Sequence, residues 1–525
     1  MAISCSVAAL LAPASAQQRD SHEVGLAPTP PMGWANWNRY FCDYDERTIM
    51  QQADALVASG MRDAGYQYLI VQECIAPGRN AAGELVADGK RFPHGLKFLA
   101  DYIHARGLLA GIYTDVGPNT CFNDPKYQGS YDHENQDART FAAWGFDLVE
   151  VDYCNLPANH TGKELYARMA NGIRKTGRPM LLYICSWGHE QPWEWGQSIA
   201  QVWRTDQDIS WEKNHCDWTK IVGNFESNAR HSVFTGPNSW NDPDMLEVGV
   251  PGINATEART HFLMWAISAA PLWVGTDVST LDGETRAILM NAEVIAVDQD
   301  PLGAGPRKVS EDAPGVEIWA KPLRSKTSGE QAVLLLNLTD LQANAEVRWS
   351  DLGLQETATV RDLSTHKDLG EFLRRFATDL PPHGSTLVRV SGKFSWKQSP
   401  VYEGEWPGNE RKGNTKLVNC GECSSGYAVT MAAQADSTAS TLIFRKMDVP
   451  EEGIYNVTLF YARSAGGEQP VQIQINDTQA TTIKLGLRAY GWESFPAQLH
   501  AGENRIQVRF AGKETVWIDA LRLSR

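Results

Sequence analysis

Between residues 28 and 300, short apolar runs rich in β-forming residues alternate with longer stretches whose apolar positions recur every three or four residues. That alternation of periods is the pattern of βα units built around a parallel sheet. Eight runs predict eight strands: PMGWANW (31–37), YQYLIVQE (66–73), LLAGIYTD (108–115), FDLVEVD (146–152), MLLYICSW (180–187), QVWRTDQD (201–208), SWNDPD (239–244) and PLWVGTD (271–277). The intervening ERTIMQQADALVASGMRDAG (46–65) and GLKFLADYIHARG (95–107) have helical spacing and end in Gly, a common helix stop. Eight such units in about 275 residues match an α/β TIM (β/α)8 barrel, expected over 25–303.

After PLGAGPRK (301–308) the period falls to two, in GVEIWAKPL (315–323), QAVLLLNLTD (331–340), AEVRWSDL (345–352) and STLVRVSG (385–392). This predicts an antiparallel β-sandwich domain over 304–392. Residues 393–400 read as a linker, and 401–525 as a further β-sandwich or jelly-roll module of short strands separated by Gly, Asn and Asp. At the other end, AISCSVAALLA (2–12) precedes Ala14-Ser15-Ala16. An apolar run before such a small-residue site predicts a signal peptide over 1–16 and a secreted or periplasmic protein, in a compartment where cysteines can pair.

The polar residues of the eight runs gather at their C-terminal ends: Gln72 and Glu73, Tyr113 and Asp115, Glu150 and Asp152, Ser186 and Trp187, Arg204 and Asp208, Asp242 and Asp244, Asp277. In a TIM barrel those ends converge on one face, where active sites are built. With 63 acidic and 48 basic residues the chain carries a net charge of −15, and no Lys/Arg run could follow a phosphate backbone. Nucleic acid and anionic membranes are thereby excluded as partners. No eighteen-residue apolar run is present either, so no membrane insertion is expected. The 18 Trp, 16 Tyr and 16 Phe suit sugar faces as well as an aromatic core. A nucleophile elbow, a P-loop, a dinucleotide fingerprint and an H-E-x-x-H zinc motif are all missing. Two strand-end acids, Asp152 and Asp208, remain as a carboxylate pair of the kind glycosidic cleavage uses.

MGWANWNRY (32–40), RFPHGLKFLADYIHARGLLAGIYTDVG (91–117), VDYCN (151–155), WRTDQDI (203–209), WNDPDML (240–246) and WAISAAPLWVGTD (265–277) resemble the α-galactosidases of glycoside hydrolase family 27, from about residue 28 to 392. The resemblance implies a retaining exo-glycosidase with Asp152 as nucleophile and Asp208 as acid/base, their carboxyls about 5–5.5 Å apart. It places a stacking ring at Trp37 and sugar contacts at Tyr113 and Arg204. It pairs Cys42 with Cys74 and Cys121 with Cys154, leaves Cys185 and Cys216 open, and implies no cofactor for catalysis. Typical members have two Asp at the end of strand two, where this chain has Gln72 and Glu73. They have Lys two residues before the nucleophile and Glu after the strand-five Cys, where this chain has Glu150 and then Ser186 followed by Trp187. The substrate-binding set is therefore Trp37, Gln72, Glu73, Tyr113, Glu150, Ser186, Trp187 and Arg204.

Release of terminal α-D-galactose is the expected activity. A first alternative is β-L-arabinopyranosidase, because Glu73 is one methylene longer than Asp and would fill the volume of the exocyclic CH2OH. Other sugars released by the same family, N-acetylgalactosamine or a glucan product, belong to that alternative. A further alternative is a catalytically inactive polysaccharide-binding protein, against which the presence of both Asp152 and Asp208 speaks. The C-terminal VYEGEWPG (401–408), KLVNCGECSSGYAV (416–429) and ETVWIDALRLS (514–524) are similar to carbohydrate-binding modules of family 35. By that resemblance Glu403, Glu405 and Asp519 would hold a structural Ca2+, while Trp406, Tyr490 and Trp492 would form a sugar platform or a core. The expected partner is an oligo- or polysaccharide substrate, and the oligomeric state stays open.

Overall fold

The computed structural model describes residues 25–123, 126–324, 329–395, 401–432, 439–463, 468–486, 490–512 and 514–525. The expected signal segment lies outside the described residues. All eight predicted runs form strands: β1 (Met32–Ala35), β2 (Tyr68–Val71), β3 (Leu109–Asp115), β4 (Leu148–Asp152), β5 (Leu181–Cys185), β6 (Val202–Arg204), β7 (Trp240–Asp242) and β8 (Leu272–Val274). They lie in the order β7-β6-β5-β4-β3-β2-β1-β8, each pair parallel. No ladder joins β7 to β8. The ring closes there through Leu246, whose N–H donates to Trp273 O at 2.7 Å and whose carbonyl accepts from Gly275 N at 3.2 Å.

Alternation along each strand sorts the side chains into two layers. On β4, Val149 and Val151 face outward and pack with Phe141, Leu165 and Met169 of the surrounding helices. Leu148 points inward and joins Ile70, Leu181, Val202 and Trp240 in the barrel interior. The lumen is narrow at Gly111, where a Cβ would stand 2.9 Å from Ile70 Cγ1. Helix Glu46–Ala58 starts from Asp45, whose carboxylate accepts from Arg47 N and Thr48 N in a capping box. The single helix expected over 46–65 is interrupted after Ser59, because Gly60 adopts φ +84°, and a short helix Met61–Ala64 follows.

The second domain is a six-stranded antiparallel sheet faced by the two-stranded Ala343–Arg348 and Arg375–Leu380 pair, enclosing Leu335, Val347, Trp349 and Val388. It docks on helix Ala255–Ser268 of the barrel, where buried Lys321 Nζ donates to Ala266 O at 3.2 Å and Thr260 Oγ1 to His383 O at 2.8 Å. The third domain has two sheets around Val429, Phe444, Tyr455 and Ile506. It rests on the barrel through Tyr427, which donates to Glu194 Oε1 at 3.1 Å and meets Phe234 edge-on at 4.8 Å. Among the described residues no helix is long and apolar enough to cross a membrane.

Cys42 pairs with Cys74 and Cys121 with Cys154, as the family resemblance implied. Cys420 pairs with Cys423, a link not anticipated. Cys185 and Cys216 are buried free thiols. The Cys121–Cys154 bridge closes a loop with a sequence separation of 33, which in the chain-entropy account removes about 3–4 kcal/mol of unfolded-state freedom. Replacing both cysteines by Ser should lower the stability read from urea unfolding by about that amount; a loss below ~1 kcal/mol would show that the bridge merely decorates a turn held by other contacts.

Candidate active site

The C-terminal ends of the strands surround a cavity of about 290 Å3. The two-residue period that carries Leu148 inward brings Glu150 and Asp152 to the same inner face, higher up. Register sets their neighbours: Glu150 stands beside Tyr113 and Tyr183, and Asp152 beside Asp115 and Cys185. Asp152 is held from two directions, with Tyr113 OH donating to Oδ2 at 2.8 Å and Tyr153 N to Oδ1 at 2.9 Å. Burial, reinforced by the charge of Asp208 and opposed by the Tyr113 hydrogen bond, raises its pKa to about 7. Asp115 fixes the turn that follows, accepting from Gly117 N at 2.6 Å and Cys154 N at 2.8 Å beside the Cys121–Cys154 bridge.

On the opposite wall Arg204, at the end of β6, is 3% exposed. One of its amino groups, Nη2, donates to Asp208 Oδ1 at 2.9 Å and the other, Nη1, to Asp244 Oδ1 at 2.9 Å. The second oxygen of Asp244 accepts from Ile209 N at 2.7 Å, one residue beyond Asp208. Asp244 reaches this position with φ +100°, a conformation that an L-residue keeps only when its surroundings hold it. The loops after β6 and β7, two strands already joined by a ladder, are thus tied together beyond their ends as well.

The end of β2 supplies the third wall. Gln72 accepts from Trp37 N at 3.3 Å and donates to Glu150 Oε2 at 2.7 Å, so it bridges the ends of β1 and β4. Glu150 lies far above the usual carboxyl range, chiefly through burial. Glu73 accepts from Phe122 N at 2.9 Å, and burial raises it to about 7. Trp37 stacks on Phe41 at 4.5 Å and meets Phe122 edge-on, forming an aromatic rim.

Trp37, Gln72, Glu73, Tyr113, Glu150, Asp152, Trp187, Arg204 and Asp208 all line this one cavity. Ser186 does not. It is fully buried with Oγ donating to His189 O at 3.3 Å, because the chain turns at Trp187, φ +50°, and sends the indole to the cavity in its place. Sequence reasoning put Asp244 on the strand-end face without counting it in the binding set, and missed Phe41, Phe122, Met245 and the floor rings Tyr183 and Trp273 as lining residues. Asp244 had a signal, an acid just past a strand end in WNDPDML; the aromatic residues are indistinguishable in sequence from core. The cluster Asp115, Cys121, Asp152 and Cys154 groups potential metal donors within 4.8 Å, but its two sulfurs are consumed by their disulfide.

Residues 29–300 match the family model described as alpha galactosidase A, and residues 313–390 that of the alpha galactosidase C-terminal β-sandwich domain. The α-galactosidase of rice, Oryza sativa subsp. japonica, is 42% identical over 352 residues, covering 66% of this chain and 82% of the relative. The crystal structure of α-galactosidase I from Mortierella vinacea aligns with a TM-score of 0.66 at 33% identity, covering 71% of this chain and 99% of that one. A β-L-arabinopyranosidase of glycoside hydrolase family 27 from Geobacillus stearothermophilus aligns with a TM-score of 0.63 at 25% identity, covering 70% and 98%.

A carboxyl whose folded pKa is raised costs the fold nothing below its unfolded value and most above its folded one. Asp152 goes from an ordinary 3.8 to about 7, so its ionisation weakens the fold progressively as the pH rises through that interval. Asp152→Asn should therefore show a Tm equal to or above wild type at pH 8, the two proteins converging toward pH 4. Calorimetric scans at both pH values check this; a variant less stable at pH 8 would contradict the stated environment of Asp152.

Proposed function

The chain belongs to the α-galactosidase family of glycoside hydrolases, and from that membership and the cavity we propose that it removes terminal α-D-galactosyl residues from oligosaccharides with Asp152 as nucleophile and Asp208 as acid/base. The observation that carries the assignment is that these two carboxyls, one anchored by Tyr113 and Tyr153 and one by Arg204, face a single cavity at the C-terminal end of the barrel. Catalysis in this family needs no cofactor. An oxygen of Asp152 attacks the anomeric carbon as the bond to the leaving oxygen breaks, and Asp208 gives that oxygen its proton. The ester formed at Asp152 is neutral while Asp208 becomes charged, so the net charge of the buried cavity is unchanged through the step. Asp208 then takes a proton from water, the resulting hydroxide attacks the anomeric carbon, and Asp152 leaves as carboxylate, which retains the anomeric configuration. Three disulfides support a site of action outside the reducing cytoplasm.

A second reading, β-L-arabinopyranosidase, is favoured by Glu73, which is 2% exposed, lines the cavity and is held over it by the Phe122 amide. Initial rates on p-nitrophenyl α-D-galactopyranoside and p-nitrophenyl β-L-arabinopyranoside, which differ only in CH2OH, separate the two. A galactoside preference is expected, and Glu73→Asp should enlarge it by about tenfold, the scale of one methylene in a pocket. An arabinoside preference in wild type would replace the first reading with the second.

We take residues 401–525 as a carbohydrate-binding module with a Ca2+ site at Glu403, Glu405 and Asp519. Ser424 Oγ joins Glu403 Oε2 at 2.6 Å to Asp519 Oδ1 at 3.0 Å, and buried Glu405 Oε2 has no hydrogen-bond partner among the described residues. Such all-oxygen donors suit a hard cation, although one oxygen from each acid does not yet fall within 4.8 Å of the others. Of the three aromatic residues weighed for a platform, Trp492 is 52% exposed, Tyr490 donates to Asp519, and Trp406 packs against Gly236 of the barrel. Burial and mutual repulsion raise Glu403 to about 7 and Glu405 to about 8, so protons compete with the cation as pH falls. Chelation should lower the Tm at pH 8, Ca2+ should restore it and Mg2+ should not, and the effect should shrink below pH 6. A Tm indifferent to chelation at pH 8 would remove the metal from the assignment.

A further inference from the structure

Trp211 is the most exposed tryptophan among the described residues, at 63%, whereas Trp34, Trp203, Trp240, Trp265, Trp273 and Trp349 are fully buried. Its indole makes no hydrogen bond or ring contact in the described residues, yet it lines the same cavity as Asp152 and Asp208. A large apolar ring left in water at the mouth of a polar site adds nothing to the core.

The backbone around it is fixed. Before it, Ile209 is 1% exposed and its N–H donates to Asp244. After it, Lys213 Nζ pairs with Asp43 at 2.8 Å, Asn214 N donates to Asn38 O at 2.6 Å and Cys216 N to Pro251 O at 2.9 Å. The loop therefore holds the backbone that carries the ring at a set position, so that binding does not have to order the loop as well.

We propose that Trp211 is the platform on which the first sugar ring of the leaving group stacks. Chemistry sets the direction. Asp208 must reach the glycosidic oxygen to protonate it, so the first ring of the leaving group begins beside Asp208. From there the cavity wall continues through Ser210 to Trp211, three residues along the same loop. The polarised C–H bonds of a pyranose face meet the negative face of the indole, and the polar ring edges stay in water. This subsite rests on the roles given above to Asp152 and Asp208.

The test compares leaving groups on one glycone. Trp211→Ala should lower kcat/KM on raffinose about tenfold, mainly through KM, and leave α-galactosyl fluoride, whose leaving group has no ring, within twofold of wild type. Trp211→Phe should keep most of the raffinose activity. Equal losses on both substrates would mean that the residue merely supports the loop, and no loss on raffinose would mean that the ring is idle; either overturns the platform. Wild type inactive on the fluoride would instead overturn the galactose reading. The platform is then decided by calorimetric titration of raffinose into Asp152→Asn with and without Trp211→Ala, where weaker binding in the double variant supports it and unchanged or absent binding overturns it.

Discussion

Among the described residues, Arg204 is the one cation lining a cavity that also holds Glu73, Glu150, Asp152, Asp208 and Asp244. Five carboxyls in so small and sheltered a volume cannot all be ionised at once, since like charges in a low-dielectric site repel strongly. The planar guanidinium presents separate N–H groups to Asp208 and Asp244, and burial still raises Asp244 to about 7 against that attraction. Burial answers for others by pushing Glu73 and Glu150 toward their neutral forms, with Gln72 donating to Glu150. Asp152 is raised to about 7 by the same burial, and the Tyr113 hydrogen bond and the Arg204 charge pull it back toward its charged form.

The same guanidinium has an architectural part. Seven of the eight strand contacts in the barrel are ladders, and the eighth is a single bridge at Leu246. Arg204 and Asp244 tie the end of β6 to the loop after β7, beyond the ladder that joins the two strands, and Asp244 passes on to Ile209, so the position of Asp208 depends on an ionic link that extends this pairing into the loops. On the far side the Cys121–Cys154 bridge and Asp115 do the equivalent for Asp152. The two carboxyls are thus set by different means, one covalent and local, the other ionic and carried between loops.

The fold was legible because periods of two and 3.6 are written into the residues themselves: all eight strand runs of the barrel stand where their apolar patterns put them, and the antiparallel domain follows where alternation replaces helical spacing. Helix continuity over 46–65 was not, since Gly60 is tolerated inside a helical pattern and its left-handed conformation is a tertiary choice. In the site, residues on strands came through, as Glu150 and Asp152 show. Residues on loops came through less well. Ser186 turns inward and Trp187 takes its place through one positive φ, and Asp244 enters from beyond β7 through another, held by Arg204 and Ile209 N. Phe41 and Phe122 join the rim from separate loops, and no local pattern distinguishes a rim aromatic from a core one.

The alternation on β4 also limits how such a protein can change over generations. Leu148, Glu150 and Asp152 share the lumen face while Val149 and Val151 share the helix face. Inserting or deleting one codon in this strand would exchange the two faces together, placing valines over the substrate and acids against the helices. Length variation is therefore closed to β4 and open only to the segments beyond its end, whereas single replacements at Gln72, Glu73 or Glu150 change what the cavity presents without disturbing the register. New sugar preferences in a lineage built on this barrel must arise by point substitution on strands and by growth of loops, two routes that leave different marks in descendant genes.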